Sequence, residues 1–338
     1  MSRRLATLVA LGLALAACGR KQSAVAPEVS GLAAVPASAQ TVVAIDVQRV
    51  LAAPLISRAI DQLVLRDANL AARWQQLRDA CKLDVDQIKH VMLAIGPHAG
   101  PQPGTGPVLV VATGKISETA LATCVRGLIG QGSGSLNTTQ VDGKTMYEAR
   151  DGNRVMYFAF GRADTVVLGS SEAYVTEALG TGKKLLDDPD FKRWIELANQ
   201  KSPIWAAGHV DERVRQGLLR ELSGKLSQGP VAEVLAFDPT SGAKLSVGLV
   251  MASDADAKTL ESYAKEEKGL LGYFAQKFSL GKLVDRIQIA AEGAVLRLRL
   301  ELDADDINQL ISALDGGGAP AQGSPPAPSS GAGSGSQR

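Results

Sequence analysis

The chain has 338 residues, of which 45% are apolar and only 4% aromatic, and its 36 basic and 35 acidic side chains give a formal charge of +1. Without a basic excess or abundant aromatic side chains it lacks the features that bind phosphates or stack bases, so no nucleic-acid partner is expected. The body is longer than one hydrophobic core usually serves, which predicts two lobes.

The N-terminus has the pattern of a secretory signal peptide. Arg3 and Arg4 form a short basic region, and residues 5–17 are apolar and uncharged. This stretch is shorter than the roughly 20 residues that a membrane-spanning helix needs. We therefore predict that residues 1–17 are removed, which would leave 34 basic and 35 acidic residues.

The predicted signal ends in Leu15, Ala16, Ala17 and Cys18, which resembles the lipobox of bacterial lipoproteins. The resemblance implies that the Cys18 thiol receives diacylglycerol and that the mature chain is held on a membrane by two or three acyl chains such as palmitate. These chains bury enough CH₂ groups, at about 0.8 kcal/mol each, for durable anchoring. Gly19 stands where aspartate would signal inner-membrane retention, so the outer membrane is expected, with the body facing the periplasm or the cell surface.

Two segments of low sequence complexity flank the body. Residues 18–35 are rich in Ala, Ser, Pro and Gly and predict a flexible tether. Residues 316–338 contain almost only Gly, Ala, Pro, Ser and Gln and predict a disordered tail. The two lobes are predicted over residues 36–200 and 201–315.

The first lobe is predicted to mix strands and helices, with a long Gly- and Pro-rich loop at 96–106. Its predicted strands are 41–47, 90–95, 107–113, 139–141, 145–149, 155–160 and 165–168. Its main predicted helices are 117–129, 171–179 and 189–199, which begin at Ser117, at Ser170 or Ser171, and after Asp188.

The second lobe repeats this order of elements, which suggests a duplication. Its predicted strands are 203–210, 244–251, 283–290 and 295–302. Its predicted helices are 211–222, one capped by Ser253 with Asp256, and 304–314 after Asp303.

Alternation along the strands indicates the kind of sheet. In 295–302 four leucines alternate with Val295, Arg297, Arg299 and Glu301, so one face is apolar and the other polar. Such alternation is typical of antiparallel sheets covered on one face. The predicted fold class is therefore α+β: two similar lobes, each a mainly antiparallel sheet with helices packed on one face.

The body resembles the uncharacterised two-repeat α+β domains of exported bacterial proteins. The resemblance lies in the opening segment from Val35 and Pro36 to Asp46, the Leu83-Asp84 turn, and the turn at 186–191. It covers most of residues 35–315 and implies no activity.

Two cysteines remain beyond Cys18. Cys81 and Cys124 each lie on an apolar helical stripe, and an exported protein enters a compartment that permits disulfides. Both interpretations, two buried thiols and one disulfide, stay open, and neither cysteine has a second ligand at the spacing of a metal site.

The three histidines, His90, His98 and His209, have no His or Cys partner at metal-ligand spacing, so no metal and no cofactor are predicted. His209 with Asp211 and Glu212 is the nearest approach to an acid/base site, but both carboxylates suit the start of a helix.

Other short motifs have structural interpretations. The stretch 180–183 lacks the first glycine and the Ser or Thr of a phosphate loop, and 279–282 matches S-x-x-K without the other elements of a penicillin-binding site. Acidic clusters at 187–190 and 303–306 fall where helices begin.

The sequence thus predicts a non-catalytic, membrane-anchored envelope lipoprotein that acts as a binding or scaffold module. An envelope protein, a lipid or a cell-wall component is the expected partner, in addition to the membrane through the lipid on Cys18. Two alternatives stay open: a periplasmic hydrolase with a dispersed active site, and a lipid carrier, which would need an apolar cavity between sheet and helices.

Overall fold

A computed structural model describes residues 31–67, 69, 71, 72, 75, 79, 81, 85–97, 106–130, 134–277 and 280–315. The predicted signal peptide, Cys18, most of the predicted tether, His98 and the tail at 316–338 lie outside the described residues.

The described body is α+β, and each strand pair with a described register is antiparallel, so the predicted fold class is confirmed. The strands are β1 (Thr41–Asp46), β2 (Ile88–Ile95), β3 (Val108–Gly114), β4 (Ser135–Val141), β5 (Lys144–Asp151), β6 (Arg154–Arg162), β7 (Thr165–Gly169), β8 (Ile204–His209), β9 (Ala232–Asp238), β10 (Ala243–Val250), β11 (Gln288–Glu292) and β12 (Val295–Leu302). The helices are α1 (Val47–Leu51), α2 (Pro54–Arg66), α3 (Glu118–Ile129), α4 (Glu172–Leu179), α5 (Pro189–Leu197), α6 (Glu212–Glu221), α7 (Asp254–Gln276), α8 (Gly281–Asp285) and α9 (Ala304–Asp315).

The chain divides into two compact units whose boundaries differ from those of the predicted lobes. Unit 1 contains the chain up to Val42 together with Ala72–Lys192, and unit 2 contains Val43–Ala71 together with the chain from Arg193 onward. The two predicted lobes are therefore not confirmed, because residues 43–71 belong to the same compact unit as the C-terminal half.

Both units use the same strand connections. In unit 1 the hairpin β2–β3 is followed by α3, and the chain returns so that β7 pairs with β3 and β6 with β7, in the order β2-β3-β7-β6-β5-β4. In unit 2 the hairpin β9–β10 is followed by α7, and β12 pairs with β10 and β11 with β12. This shared order supports the duplication hypothesis.

The core of unit 1 joins α3 to the sheet. Leu121 and Val125 of α3 pack with Phe158 and Val166 of the strands, and the Tyr147 hydroxyl donates to the Glu118 carboxylate at 2.9 Å. On β7 the neighbouring residues 165–167 are all buried, which requires cover on both faces of that strand.

Helix α4 provides this second cover. It packs on β3, β6 and β7, and a side chain at Gly169 would collide with Val175 of α4. The absence of a Cβ at Gly169 thus allows the close approach of the helix, and unit 1 has helices on both sheet faces near β7. The predicted packing of helices on one face only is therefore wrong for this unit, because the buried residues of β7 need cover on both sides.

The core of unit 2 confirms the alternation predicted for 295–302. Leu296 is buried with Leu260 and Ala257 of α7 and with Met251. Arg297 and Arg299 point to the opposite, polar face. The leucine face of β12 is thus the face that α7 covers.

The start of α7 is held by a buried carboxylate. Asp256, 4% exposed, accepts hydrogen bonds from the Ser227 amide at 2.7 Å, the Ser227 hydroxyl at 2.5 Å and the Ser253 hydroxyl at 2.8 Å. Ser253 caps the helix by accepting from the Asp256 amide. These bonds lower the pKa of Asp256, those from Ser227 most strongly.

Several predicted elements need correction. Strand β9 was not predicted at all, and the segment predicted as one strand at 283–290 is helix α8 followed by the short strand β11. In contrast, the predicted caps Ser117 and Ser253 accept hydrogen bonds from the first turns of α3 and α7.

The structure joins Cys81 and Cys124 in a disulfide, with 4.4 Å between their Cα atoms. Both residues belong to unit 1, and Cys124 lies on the buried side of α3. The bond therefore attaches helical residue 81 to the core helix of this unit.

Replacing both Cys81 and Cys124 with alanine should lower the free energy of unfolding by about 2–4 kcal/mol, because the bond closes a separation of 43 residues in the unfolded chain. Urea unfolding measures the loss. A reductant should destabilise the parent protein similarly and leave the double variant unchanged; equal sensitivity of the two would contradict the disulfide.

Asp256→Ala should lower the free energy of unfolding by about 1–2 kcal/mol, since three hydrogen bonds lose their acceptor. Asp254→Ala is the matched control, because this exposed carboxylate lies in the same helical turn; its loss should stay within about 0.5 kcal/mol. Equal losses in the two variants would show that the hydrogen bonds of Asp256 do not stabilise the fold.

The lowered pKa of Asp256 also predicts a pH dependence. A carboxyl whose pKa is lower in the folded state stabilises the fold above the ordinary Asp value of about 4, and this contribution is lost as the pH falls through the folded value. Between pH 5 and 3, Asp256→Asn should therefore lose less stability than the parent in thermal unfolding. Asp254→Asn should follow the parent.

Candidate functional site

The structure separates the residues that the sequence singled out. Cys81 and Cys124 are together in the disulfide of unit 1. His90 is exposed on β2 in unit 1, and His209 is exposed at the end of β8 in unit 2. Cys18, the predicted lipidation site, lies outside the described residues.

The carboxylates next to His209 serve the start of α6. Asp211 accepts from the Arg213 amide at 2.8 Å, and Glu212 binds the Arg215 guanidinium at 2.7 and 2.8 Å. This pairing, with a hydrogen bond from Gln216, lowers the pKa of Glu212 to about 2. Glu212 is therefore ionised at neutral pH and is poorly suited to accept a proton.

A carboxylate not singled out in the sequence lies on the strand next to β8. Glu233 on β9 pairs with Gly208, the residue before His209. Desolvation of its partly accessible carboxyl raises the pKa of Glu233, and the charge of Asp211 adds to the effect. The His209 ring lies edge-on to Trp194, with 4.8 Å between centroids. His209 thus lies at the end of β8 against the Trp194 ring, and Glu233 is paired with the residue before it.

The glycine- and lysine-rich turn at 180–183 follows the end of α4. Lys184 donates to the carbonyls of Glu177 at 2.6 Å and Ala178 at 3.0 Å, and Lys144 donates to that of Leu179 at 3.3 Å. Cations at this position complement the negative end of the helix dipole. The ammonium groups of Lys184 and Lys144 therefore bind backbone carbonyls at the end of α4.

Both acidic clusters bind helix-start amides. Asp188 accepts from the amides of residues 190 and 191, and Asp303 and Asp306 form a reciprocal pair of side-chain to backbone hydrogen bonds at α9. Arg286 bridges Asp303 and Asp306 at 3.2 and 3.0 Å. Among the described residues, no group of three or more His, Cys, Asp or Glu side chains is arranged to hold a metal ion.

A first cleft lies on the polar face of the sheet in unit 2, and we refer to it as the sheet cleft. It measures about 400 Å³ and is lined by both charge signs. Its cations are Lys244, Arg297 and Arg299, and its anions are Asp238, Glu292 and Glu301.

The arginines of the sheet cleft already have partners. Arg297 donates to the Leu197 carbonyl at 2.7 Å, and Arg299 binds Glu292 at 2.5 Å. Burial lowers the pKa of Arg297, although the nearby Glu292 counteracts this. Opposite Arg297 stands Gly248, whose missing side chain leaves room for the guanidinium. The cleft is electrically balanced and does not favour one ligand charge.

The second candidate is an apolar patch at the end of α7, made of Leu270, Leu271, Tyr273 and Phe274. Their exposures are 54%, 51%, 63% and 56%. The other exposed large apolar residues that the structure describes are scattered, at Ile60, Met156, Leu186 and Val214. Single exposed apolar residues are normal, but a contiguous group indicates a surface for interaction.

Beside the patch lies a second cleft, the helix-end cleft, of about 420 Å³. It is lined by Lys265, Lys268, Gly269, Gly272, Tyr273, Gln276 and Asp285. Lys265 pairs with Glu261 at 2.6 Å, and Lys268 donates to the carbonyls of Asp285 and Ile287 at 3.2 and 2.6 Å. The end of α7 thus combines exposed apolar side chains with two neighbouring ammonium groups.

No helix within the described ranges is both long enough and apolar enough to cross a membrane.

No protein-family model matches the sequence, and no curated protein is significantly similar to it. Two solved structures are similar in backbone: crystal form III of TP0453, with a TM-score of 0.46 and 10% identity over 84% of this chain and 98% of that one, and crystal form I of TP0453, with 0.46 and 12% over 85% and 97%. Likeness at this level assigns the chain neither a family nor a function.

Proposed function

We propose that this chain is a lipoprotein of the bacterial cell envelope, held on a membrane by acyl chains on Cys18, and that its folded body is a binding or scaffold module rather than an enzyme. The observation that carries the proposal is the sequence at the N-terminus: an uncharged apolar stretch directly before Leu15, Ala16, Ala17 and Cys18.

The disulfide supports export. Disulfides persist in oxidising compartments such as the periplasm and are rare in the cytosol, where thiols are kept reduced. The bond between Cys81 and Cys124 in unit 1 is therefore consistent with a body that functions outside the cytoplasm.

The surfaces of unit 2 support a binding role. The apolar patch on α7 exposes four large side chains in a row, which costs solubility and suits a contact with a partner. The neighbourhood of His209 supports the hydrolase alternative less well, since Asp211 and Glu212 are engaged at the start of α6. The outer membrane, favoured by Gly19, stays part of this proposal.

Cys18→Ser should move the protein from the membrane fraction to the soluble fraction, or leave an unprocessed precursor, because the thiol that receives diacylglycerol is gone. Detergent phase partitioning and mass spectrometry of the N-terminal peptide measure this. The wild-type peptide should begin at Cys18 and carry the mass of the acyl chains.

Gly19→Asp is the matched control for sorting, because it leaves the lipid in place. It should keep the protein on a membrane and move it toward the inner-membrane fraction of a sucrose gradient. A wild-type terminus without acyl mass, or a Cys18→Ser protein that stays on the membrane after processing, would contradict the proposal.

A further inference from the structure

We infer that the C-terminal end of α7 is a second membrane contact, in which the apolar patch enters the interface of an anionic phospholipid bilayer while the lysines beside it meet the headgroup phosphates. The inference rests on the proposed function, because the lipid on Cys18 brings the body to a bilayer. The inference adds that the folded body also contacts lipid directly.

The two halves of α7 have different surroundings. Its first half packs into the core of unit 2 through Ala257 and Leu260. Its last two turns contact α8 on one side, where Ala275 is buried and Gly272 lies near Val284. The opposite side carries the four exposed apolar side chains of the patch, so this end of the helix is amphipathic with its apolar side outward.

The residue types match an interfacial helix. Tyr and Phe with Leu are the residues that enter the boundary between headgroups and acyl chains, and lysines at the edge extend their ammonium groups toward phosphates. Lys277 follows this arrangement, since its ammonium lies 5.4 Å from the Tyr273 ring centre and 5.5 Å from that of Phe274.

The distribution of charge favours a phosphate-rich surface at this end. From Lys268 to Lys282 the chain has three lysines and no acidic residue. The pair of Lys265 and Glu261 is exposed on the lysine side, so it is worth little and is easily exchanged for a phosphate. Asp285 also lines the helix-end cleft and adds one negative charge there. Lys268 donates to the backbone carbonyls of Asp285 and Ile287, so Lys277 at the edge of the patch is the lysine on which the phosphate contact chiefly depends.

Acidic residues limit the contact at its other edge. Glu266 and Glu267 lie about one turn before the patch on the same side of α7, and both are exposed. Their carboxylates would be costly to bring among acyl chains. The proposed contact therefore involves only the last two turns of the helix.

The length of chain before the body keeps the body near a membrane. Twelve residues lie between Cys18 and Gly31, the first described residue, and the thirteen Cα–Cα steps from Cys18 to Gly31 span at most about 45 Å when fully extended. A body tethered to a bilayer meets it at high effective concentration, so a weak contact suffices.

The test uses the chain from residue 18 onward with Cys18→Ser, which keeps every described residue and removes the lipid, so that any membrane binding comes from the body. Flotation is measured with vesicles of phosphatidylcholine and phosphatidylglycerol at 7:3, and with phosphatidylcholine alone. We expect binding to the mixed vesicles, weaker binding to the neutral ones, and weakening by 0.5 M salt.

The triple variant Leu270→Ser, Leu271→Ser and Phe274→Ser should bind the mixed vesicles at least tenfold more weakly. Val214→Ser, which removes a 53% exposed apolar side chain elsewhere in unit 2, is the matched control and should bind like the parent. All replaced side chains are exposed, so thermal unfolding should remain unchanged in each variant.

Lys277→Gln should weaken binding to the mixed vesicles about fivefold and leave binding to neutral vesicles unchanged, since one lysine near an anionic surface contributes about that factor. Lys225→Gln, at an exposed lysine of the same unit, is the charge control.

Failure of the parent to float with any vesicle, or equal binding of the triple variant, would overturn the inference. If the parent instead forms dimers in analytical ultracentrifugation that the triple variant does not form, the patch is a contact between copies and the lipid contact is wrong. The lipid on Cys18 is measured separately on the full chain. If Cys18 is acylated but the unlipidated body does not bind vesicles, this inference is refuted and the proposed anchor is not. If Cys18 is unmodified but vesicle binding of the body depends on the patch, the proposed anchor is refuted and this inference is not.

Discussion

The fold depends on one strand in each unit that pairs on one edge with its hairpin partner and on the other edge with a strand from farther along the chain. In unit 1, β3 pairs with β2 on one side and with β7 on the other; in unit 2, β10 pairs in the same way with β9 and β12. The intervening chain must leave the sheet after the hairpin, cross it as a helix and return antiparallel to the strand it left. This requirement fixes where α3 and α7 lie, and therefore which strand residues are covered and which line the sheet cleft.

The parts of the fold that local physics specifies were visible in the sequence. Leu296 and Arg297 reveal the two faces of β12 because side chains alternate along any strand, and Ser117 and Ser253 reveal helix starts because a hydroxyl can accept from the free amides there. Strand β9 was missed because its buried positions at Ala232, Val234 and Ala236 are small and stand out little. At 283–290, the apolar pair Leu283 and Val284 suits a strand and a short helix equally, and periodicity cannot separate the two in so few residues.

The candidate sites also differ in whether the sequence alone reveals them. The proposal of processing at Cys18 rests on a linear motif, which can be recognised without any structure, whereas exposure of the apolar patch is a tertiary property. In the sequence, Leu270, Leu271, Tyr273 and Phe274 look like core residues, and only the end of the packing against β11 and α8 reveals that they face outward. Similarly, two apolar stripes could not decide between thiols and a disulfide, because that choice depends on a Cα separation that only the folded backbone provides.

Residues 43–71 belong to unit 2 although they precede most of unit 1 in the sequence, and this affects which unit can fold first during synthesis. This segment emerges early, yet the rest of the unit to which it belongs begins only at Arg193, after all the remaining residues of unit 1. At roughly 5–20 residues per second of synthesis, it waits on the order of ten seconds for them. During that interval α1 and α2 lack the surfaces against which they pack, and closing so long a loop is slow. If the chain is exported unfolded, as we propose, it benefits from such a delay, because residues 43–71 cannot complete unit 2 before its C-terminal part has been made.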